Sequence, residues 1–540
     1  MPTTRKILVL ALDAATPALL ERWTADGTLP NIANAMANGL VSPAMGVEGM
    51  EVGSTWPSFY TGLNPAGHGI CWSDRVIPGT YRQLRLNPRD FAGITPFWER
   101  LSDAGKRVIV LDIPFAPLAP RLNGVHVVEW GVHDGAFGYR TTPASLAASL
   151  RARYGIHPPP TTCDTDRLDA AGHRELRDKM VRGVELRGQM TRDLLATHEW
   201  DFALQCFNEI HCSGHIFWHY HDPTHPAHDA ATVARDGDLL RDVYIATDRE
   251  IGALMEQVGP DTTVILMTLH SMEHTCGSSL LLPAMLERLG VCATATGRSL
   301  ADVRPVDAPI VPVGKGRGLK GLARTLVPEG IRLRLYAVRQ WFNKQVLHTG
   351  EPIDIDPSRT KAFQMGFGAG STYSGIRFNL KGREPEGIVE PGEGERELTE
   401  LLQRELLATV NPETGRPLVR RVVRTADIHQ GRLLHELPDL LVEWEYDVGR
   451  GNTIVGNGEG SVWRGYSDRI GSVEHPNGGG RTGAHRLEGM IITTGPGIEP
   501  GHSSRVVNCV DMAPTLMAMH GVAFGPNDGR VVEDWMTHAG

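Results

Sequence analysis

Short runs of apolar and β-branched residues alternate along the chain with longer stretches that carry a helical period. The runs that predict buried strands are Lys6–Asp13, Arg107–Ile113, Phe202–Phe207, Thr263–Leu269 and Gly489–Thr494. Such an alternation is typical of a sheet covered by helices on both faces. The pattern therefore predicts the α/β fold class, with a doubly wound, mostly parallel sheet flanked by helices.

Polar residues follow several of the predicted strands directly. Asp13 ends the first strand, Asn208 and Glu209 follow the third, and His270 follows the fourth. In open α/β sheets, ligands bind beyond the carboxyl ends of the strands. We therefore expect these residues to converge at one edge of the sheet, although they are far apart in the sequence.

The middle of the chain departs from this pattern. Residues 295–350 are basic, and they predict a solvated loop around residues 314–321 that leads into a surface helix over Ile331–Val346. The glycines and lysines of this loop lack the spacing of a phosphate-binding loop.

Residues 360–445 predict a smaller α+β unit, with strands and a helix at Gly375–Leu380, Glu395–Val410 and Asp439–Trp444. The chain then returns to core-like sequence. We therefore expect a catalytic α/β core in two parts, residues 1–290 and 446–540, with an inserted helical and α+β cap region at residues 291–445.

Composition excludes several classes of protein. The 540 residues are 41% hydrophobic and 22% charged, as in a soluble globular protein, and no apolar run approaches the ~18 residues of a membrane helix. With 54 Lys and Arg against 63 Asp and Glu, a net charge of −9 gives no support for a nucleic-acid or membrane partner. The oligomeric state stays open, with a homo-oligomer as one alternative.

The seven cysteines are scattered without a Cys-x-x-Cys pair, which is typical of reduced thiols in a reducing compartment. The N-terminal apolar stretch Ile7–Leu12 is too short for an export signal. We therefore expect a cytoplasmic protein.

Histidines supply the first candidate chemistry. Six of the 22 histidines lie between His211 and His228. His211 and His215 are four residues apart, so a helix would place both imidazoles on one face about 6 Å from each other, close enough to share one metal ion. A histidine-rich surface helix is the alternative, but the position directly after a predicted core strand favours metal ligands.

A third histidine lies far along the chain, in the glycine-containing segment Arg481–Arg486. His485 would complete a site of three neutral imidazoles with one open position, which is the geometry of a catalytic zinc site. Asp13 and His270 would either bind a second ion or orient the first ligands. Their simpler alternatives are a helix N-cap for Asp13 and a hydrogen-bonded core residue for His270.

These segments resemble the alkaline phosphatase superfamily, in particular its type I phosphodiesterase/nucleotide pyrophosphatase branch. The blocks that carry the resemblance, in the family's order, are Ile7–Asp13, Thr55–Ile70, His211–Trp218, Val264–His270, Thr482–Gly489 and Val510–Thr515. The Thr-Gly-x-x-Pro-x-x-His-Gly-Ile sequence that begins at Thr61 is the most specific of them.

The resemblance implies two zinc ions and assigns their ligands. The first site falls on His211, His215 and His485, and the second on Asp13, Leu269 and His270. Two family carboxylates are therefore replaced, one by a histidine at position 211 and the other by a leucine at position 269.

The resemblance also implies a nucleophilic Thr or Ser, and two alignments of this block compete. We expect Thr55 to be the nucleophile, as one alignment makes it, with Ser54 as a lesser candidate; counting back from Thr61 and Gly62 instead lands on Val52, which has no hydroxyl. Metal-bound hydroxide is the alternative nucleophile.

Charge decides how many ions we expect. The family sets three carboxylates against two dications, whereas this chain offers only Asp13, and uncompensated charge in a dry crevice is costly. Either Glu209 or Glu273 becomes a ligand, or one ion is bound firmly and the second weakly or not at all. We expect one firm zinc ion at His211, His215 and His485.

The predicted function is that of a metal-dependent hydrolase of phosphoric esters, acting on small anionic phosphodiesters or nucleotide-like pyrophosphates. Lys381 and Arg383 would either contact the substrate from the inserted unit or form surface ion pairs. Two further hypotheses stay open: a mononuclear hydrolase or lyase of a substrate without a phosphoryl group, and a catalytically inactive binding protein on the same fold.

Overall fold

A computed structural model describes residues 6–133, 135–160, 162–163, 168–225, 227–274, 277–300, 350–366, 372–446, 461–477 and 480–536. The predicted basic loop at residues 314–321, the predicted helix over Ile331–Val346 and Cys276 lie outside these residues.

The strands are β1 (Lys6–Leu12), β2 (Leu40–Met45), β3 (Asp74–Val76), β4 (Arg82–Arg85), β5 (Val108–Leu111), β6 (Gly124–Val128), β7 (Arg140–Thr142), β8 (Phe202–Phe207), β9 (Thr262–Thr268), β10 (Ser271–His274), β11 (Glu351–Pro352), β12 (Ala362–Met365), β13 (Tyr373–Phe378), β14 (Val419–Arg424), β15 (Leu440–Trp444), β16 (Ser461–Ser467), β17 (Gly471–Asn477), β18 (Gly483–Arg486), β19 (Glu488–Thr494), β20 (Gly501–His502) and β21 (Val507–Asn508).

The helices are α1 (Pro17–Ala25), α2 (Pro30–Ala37), α3 (Glu51–Thr61), α4 (Pro65–His68), α5 (Phe97–Asp103), α6 (Leu146–Tyr154), α7 (Ala170–Thr197), α8 (Glu209–His221), α9 (Ala230–Asp236), α10 (Leu239–Val258), α11 (Leu282–Arg288), α12 (Glu393–Leu407), α13 (Thr425–Ile428) and α14 (Met512–Met519). Within the described ranges, none of them combines the length and apolar composition that crossing a bilayer needs.

A ten-stranded sheet runs through the centre of the molecule in the order β20-β2-β19-β9-β1-β8-β5-β6-β7, with β21 beside β2. Strands β9, β1, β8, β5 and β6 are mutually parallel, whereas β19 is antiparallel to both of its neighbours. The predicted α/β class with a mostly parallel sheet is confirmed.

Both faces of this sheet are buried, as β1 shows. Ile7, Val9 and Ala11 pack into the apolar cluster on one face, and Leu8, Leu10 and Leu12 into the cluster on the other. Strands buried on both faces carry continuous apolar runs rather than an alternation of apolar and polar residues. This is why the predicted strand positions agree with the structure to within one or two residues at their ends.

The inserted unit contains a four-stranded antiparallel sheet in the order β12-β13-β15-β14. Its strands at Tyr373–Phe378 and Leu440–Trp444 and its helix at Glu393–Leu407 lie where the sequence predicts them. Tyr373 and Trp444 belong to the same apolar cluster as one face of the large sheet. The domain boundaries at 290/291 and 445/446 stay predictions.

Candidate metal centre

A cavity of about 320 Å³ opens at the carboxyl end of the parallel strands. Its walls are formed by Asp13, Glu51, Val52, Gly53, Trp56, Trp72, Ser73, Asp74, Arg85, Pro114, Phe115, His133, His211, His215, His270, Arg481 and His485. Residues from distant parts of the chain therefore meet at the sheet edge where the predicted strand ends converge.

Helix α8 supplies two of the histidines. It begins at Glu209, directly after β8, and its four-residue spacing puts His211 and His215 on one face with ring centroids 4.6 Å apart. Both side chains are buried in the part of the helix that faces the cavity.

A short pair of strands brings His485 to this helix. Strand β10 follows β9 and pairs antiparallel with β18, so that Met272 lies opposite His485. The His485 ring consequently lies 4.9 Å from His211, 4.8 Å from His215 and 5.0 Å from His270, centroid to centroid.

Glycines allow the close approach of β18 to α8. A Cβ atom at Gly483 would overlap the carbonyl oxygen of Gly214, and one at Gly214 would lie 3.1 Å from Cγ of Met272. The glycine two residues before His485 is therefore required by packing.

Burial keeps the three imidazoles neutral, and a backbone hydrogen bond orients that of His215. Burial first, and then the charges of neighbouring imidazoles or of Arg481, hold the pKa of His211, His215 and His485 well below the ordinary histidine value. Nδ1 of His215 lies 2.8 Å from the carbonyl oxygen of Gly483 and must donate to it, which leaves the lone pair on Nε2. A backbone partner of this kind fixes the orientation of a metal-binding histidine.

The donor set of the three histidines fits a zinc ion. One ring nitrogen from each lies within 4.8 Å of the others, and Nε2 of His211 is 3.1 Å from Nε2 of His485. Two nitrogens on a tetrahedral zinc ion lie about 3.3 Å apart. Nδ1 of His485 is buried and has no hydrogen-bond partner among the described residues. A protein hydrogen bond at that atom therefore does not compete with metal binding.

The second site implied by the family resemblance is incomplete. Nε2 of His270 lies 3.6 Å from Oδ1 of Asp13, which also accepts a hydrogen bond from Nε1 of Trp56. Burial raises the pKa of Asp13 to about 7 despite that hydrogen bond. Leu269, which replaces the second carboxylate of this site, is buried in the apolar core. Of the three implied residues, Asp13 is therefore the one that supplies a carboxylate.

His133 is a cavity residue that sequence reasoning missed. Its ring stacks on that of His211 at 3.7 Å, and its Nδ1 lies 4.0 Å from Oδ2 of Asp13. His133 follows β6, a five-residue strand, and the position of a histidine after a sheet strand is the signal that could have identified it.

Arg481 is the second missed residue. Its Nη1 lies 3.4 Å from Nε2 of His215, and it lines the cavity together with Arg85. The sequence motif includes Arg481, but glycine and histidine patterns alone assign it no role.

The predicted nucleophile does not reach the cavity. Thr55 donates its hydroxyl to the carbonyl oxygen of Glu51 at 3.0 Å, and Ser54 donates to the carbonyl oxygen of Ile70. Val52 and Gly53 line the cavity instead, at the kinked start of α3. A nucleophilic role for Thr55 or Ser54 would require its hydroxyl to give up this hydrogen bond.

The predicted substrate contacts of the inserted unit are also placed elsewhere. Lys381 pairs with Glu390 at an exposed position, and Arg383 forms ion pairs with Asp439 at 2.6 Å and Glu384 at 2.8 Å. Neither side chain lines the cavity, so the structure gives both of them the ion-pair role that was the alternative.

Neither glutamate considered as an additional ligand is available. Glu209 is buried against Arg187 and His157. Burial alone would raise its pKa, but the charges and hydrogen bonds of Arg187 and His157 together lower the pKa of Glu209 to about 2. Glu273 pairs with Arg486 at 3.3 Å, and its side chain is half exposed. Neither of these two glutamates therefore joins the three histidines, whereas Glu51 and Asp74 lie in the cavity wall outside the three-histidine group.

Comparison with known proteins identifies one matching family and several similar structures. The sequence matches the profile of the type I phosphodiesterase / nucleotide pyrophosphatase family over residues 7–297, more than half of the chain. No curated protein matches the sequence.

Among solved structures, phosphonoacetate hydrolase from Sinorhizobium meliloti 1021 in complex with phosphonoacetate is similar at a TM-score of 0.50, with 13% sequence identity and 96% of each chain covered. Human ectonucleotide pyrophosphatase / phosphodiesterase 5 is similar at a TM-score of 0.46, with 11% identity and 97% of each chain covered. The similarity to phosphonoacetate hydrolase supports a shared fold and, at 13% identity, nothing more specific.

Proposed function

The chain belongs to the type I phosphodiesterase / nucleotide pyrophosphatase family, and from this membership we propose that it is a metal-dependent hydrolase of phosphoric esters. The observation that supports a metal centre is the meeting of His211, His215 and His485, three buried neutral imidazoles from distant segments, at the edge of the sheet. We propose zinc as the ion, because three imidazoles with an open position suit it.

When bound there, zinc would polarise a phosphoryl oxygen and lower the pKa of a water ligand toward about 7. The chain's own residues would bind and orient the substrate. Arg481 and Arg85 line the cavity, and guanidinium groups bind the oxygens of phosphoric esters through paired N–H donors.

The substrate we propose is a small phosphodiester or nucleotide-like pyrophosphate. A cavity of about 320 Å³ is of the size that encloses a small molecule. Trp56, Trp72 and Phe115 lie in its wall, so an aromatic or apolar substituent on the phosphate would pack beside them.

We propose water rather than a threonine as the nucleophile. Val52 lies in the cavity wall at the start of α3, whereas the Thr55 hydroxyl is bound to the backbone away from the wall. Among the described residues of the wall, Ser73 is the one with an alcohol side chain, and its hydroxyl donates to Asp74 at 3.3 Å. A direct attack predicts that no covalent phospho-enzyme accumulates.

The proposal is tested by His215→Ala, with His221→Ala in the same helix as the matched control. Protein purified without chelators is assayed for metal content and for hydrolysis of bis(p-nitrophenyl) phosphate and p-nitrophenyl phosphate. We expect His215→Ala to lose the metal and to lose activity by about a hundredfold or more, because the ion supplies several kcal/mol of transition-state stabilisation. The control should retain both.

Three outcomes would contradict the proposal. Full metal content and full turnover in His215→Ala would refute the site. A wild-type protein that binds metal but hydrolyses neither ester would favour a substrate without a phosphoryl group. A wild-type protein without bound metal or activity would favour a binding protein.

A further inference from the structure

A second group of potential metal ligands adjoins the three histidines and shares His211 with them. His133, Cys163, His211 and Cys212, which we call the thiol cluster, are all buried, and one ligand atom from each lies within 4.8 Å of the others. These four side chains come from the loop after β6, the segment before α7 and the first turn of α8.

His211 belongs to both groups through different nitrogen atoms. Its Nε2 faces Nε2 of His485 at 3.1 Å, and its Nδ1 faces Sγ of Cys163 at 3.5 Å. Cys212 is the next residue of α8 and is itself buried. The imidazole of His211 is therefore shared, with one nitrogen toward the three-histidine group and the other toward the thiol of Cys163.

We propose that the thiol cluster is a second zinc site, with Cys163, Cys212 and Nδ1 of His211 as ligands and His133 as the fourth. Two sulfurs and two imidazole nitrogens are a donor set that zinc prefers in closed tetrahedral sites. The inference shares His211 with the proposed function but requires neither His215 nor His485, so variants of these two residues separate the two proposals.

Charge supports a second ion at this position rather than at Asp13. Two thiolates would balance a dication in a buried place, whereas the position of Asp13 and His270 retains a single carboxylate. Binding would release one proton from each thiol to solvent, and His211 would release its N–H proton when both ions are present. The carboxylates that this chain lacks relative to its family would thus be replaced by sulfur.

The geometry requires a small contraction. Ligand atoms on a tetrahedral zinc ion are about 3.3–3.8 Å apart, so donors within 4.8 Å must move by about 1 Å. The ring of His133 must also turn, because two imidazoles stacked at 3.7 Å and 12° cannot both aim a lone pair at one ion.

The test replaces zinc with cobalt(II) in the full-length protein. A cobalt ion with thiolate ligands has an intense sulfur-to-metal charge-transfer band in the near ultraviolet, which a site made of nitrogen ligands lacks. We expect the wild type to bind two ions and to show this band. Cys163→Ser and Cys212→Ser should each abolish the band and bind one ion, whereas Cys509→Ser, at another buried cysteine, should change neither quantity.

His215→Ala and His485→Ala separate this inference from the proposed function. Both variants should lose one ion and keep the charge-transfer band. Wild-type protein that binds one cobalt ion without the band would overturn the thiol site and leave the three-histidine centre intact. Wild-type protein that binds no cobalt would overturn both, and a Cys163–Cys212 disulfide that persists in protein purified with reductant would overturn the thiol site.

Discussion

His211 lies where the family resemblance places an aspartate, and its neighbours define the chemistry of this centre. Replacing a carboxylate with a neutral imidazole removes one negative charge beside the proposed ion, and the buried Leu269 removes another. A zinc ion held by three neutral nitrogens keeps more of its Lewis acidity than one held by carboxylates. Single side chains thus change the charge of the site without changing the fold.

Thr55→Val tests at the residue scale whether a threonine attacks the substrate. We expect turnover of bis(p-nitrophenyl) phosphate to stay within about threefold of wild type, because the lost hydrogen bond to Glu51 is worth about 1 kcal/mol and lies outside the cavity wall. A loss of about a thousandfold or more is typical of removing a nucleophile. Such a loss in a stably folded variant would contradict direct attack by water.

Arg481→Ala tests whether the cavity binds an anion. Loss of a guanidinium that contacts a phosphoryl oxygen should raise KM by about tenfold, and Arg481→Lys should recover only part of the effect because an ammonium lacks the planar pair of donors. Arg396→Ala, at an exposed position in α12, is the matched control. An unchanged KM in Arg481→Ala would place the substrate elsewhere.

At the scale of elements, local patterns predict the strands and helix α8 well. Strands β1, β8 and β9 carry continuous apolar runs, and α8 has a four-residue histidine spacing that needs no distant partner. The pairing of β10 with β18 is not predictable in this way, because four residue pairs that are each more than 200 positions apart have no local signature. The proximity of His485 to α8 was therefore predicted from its place just before a strand and from the family resemblance, and not from the β10–β18 pairing.

The start of α3 explains why the position of the nucleophile could not be predicted. The helix is interrupted at Val52 and Gly53, where Gly53 has φ +93° and a Cβ would meet Trp72. The interruption lies between Glu51 and Thr55, and the Thr55 hydroxyl donates across it to the carbonyl oxygen of Glu51. A backbone of this kind is accessible to glycine and leaves no periodic signal.

Gly483→Ala tests how β18 is held against α8. The added methyl group would overlap the carbonyl oxygen of Gly214, which should displace His485 and weaken zinc binding by about tenfold or more. Gly394→Ala, where a Cβ makes ordinary contacts in α12, should leave zinc affinity unchanged. Equal affinities in the two variants, measured by chelator competition, would show that this contact does not position the ligand.

A buried ion-pair network joins α7, α8 and the end of β5. Arg187 contacts Asp112 and Glu209, and it donates to the carbonyl oxygen of Gly131 at 2.8 Å. Arg187→Met should lower the free energy of unfolding by about 3–5 kcal/mol, because it removes the positive charge that two buried carboxylates share. Arg192→Met, in the same helix but partly exposed, should cost about 0–1 kcal/mol in urea unfolding, and a similar cost for both would contradict the network's role.

At the scale of the whole molecule, the centre is assembled from most of the chain's length. His211 and His485 are 274 residues apart, and the apolar cluster on one face of the large sheet continues into the inserted unit. A ligand that joins distant segments stabilises the folded state over the unfolded one, by about 3 kcal/mol when its concentration is 100 times Kd.

Removal of the metal should therefore lower the stability of the entire fold. We expect dialysis against a chelator to lower Tm and zinc to restore it, while His215→Ala should have a lower Tm that zinc raises less. Unfolding followed by circular dichroism checks both. An unchanged Tm of the wild type in chelator and in zinc would contradict a metal site that joins distant segments of the chain.

The most direct test is an anomalous difference map, recorded at the zinc absorption edge from crystals of the zinc-loaded protein. We expect a zinc peak bonded to His211, His215 and His485, with zinc–nitrogen distances of about 2.0–2.1 Å. A zinc peak that lacks His485 as a ligand, or no peak at this edge of the sheet, would contradict it.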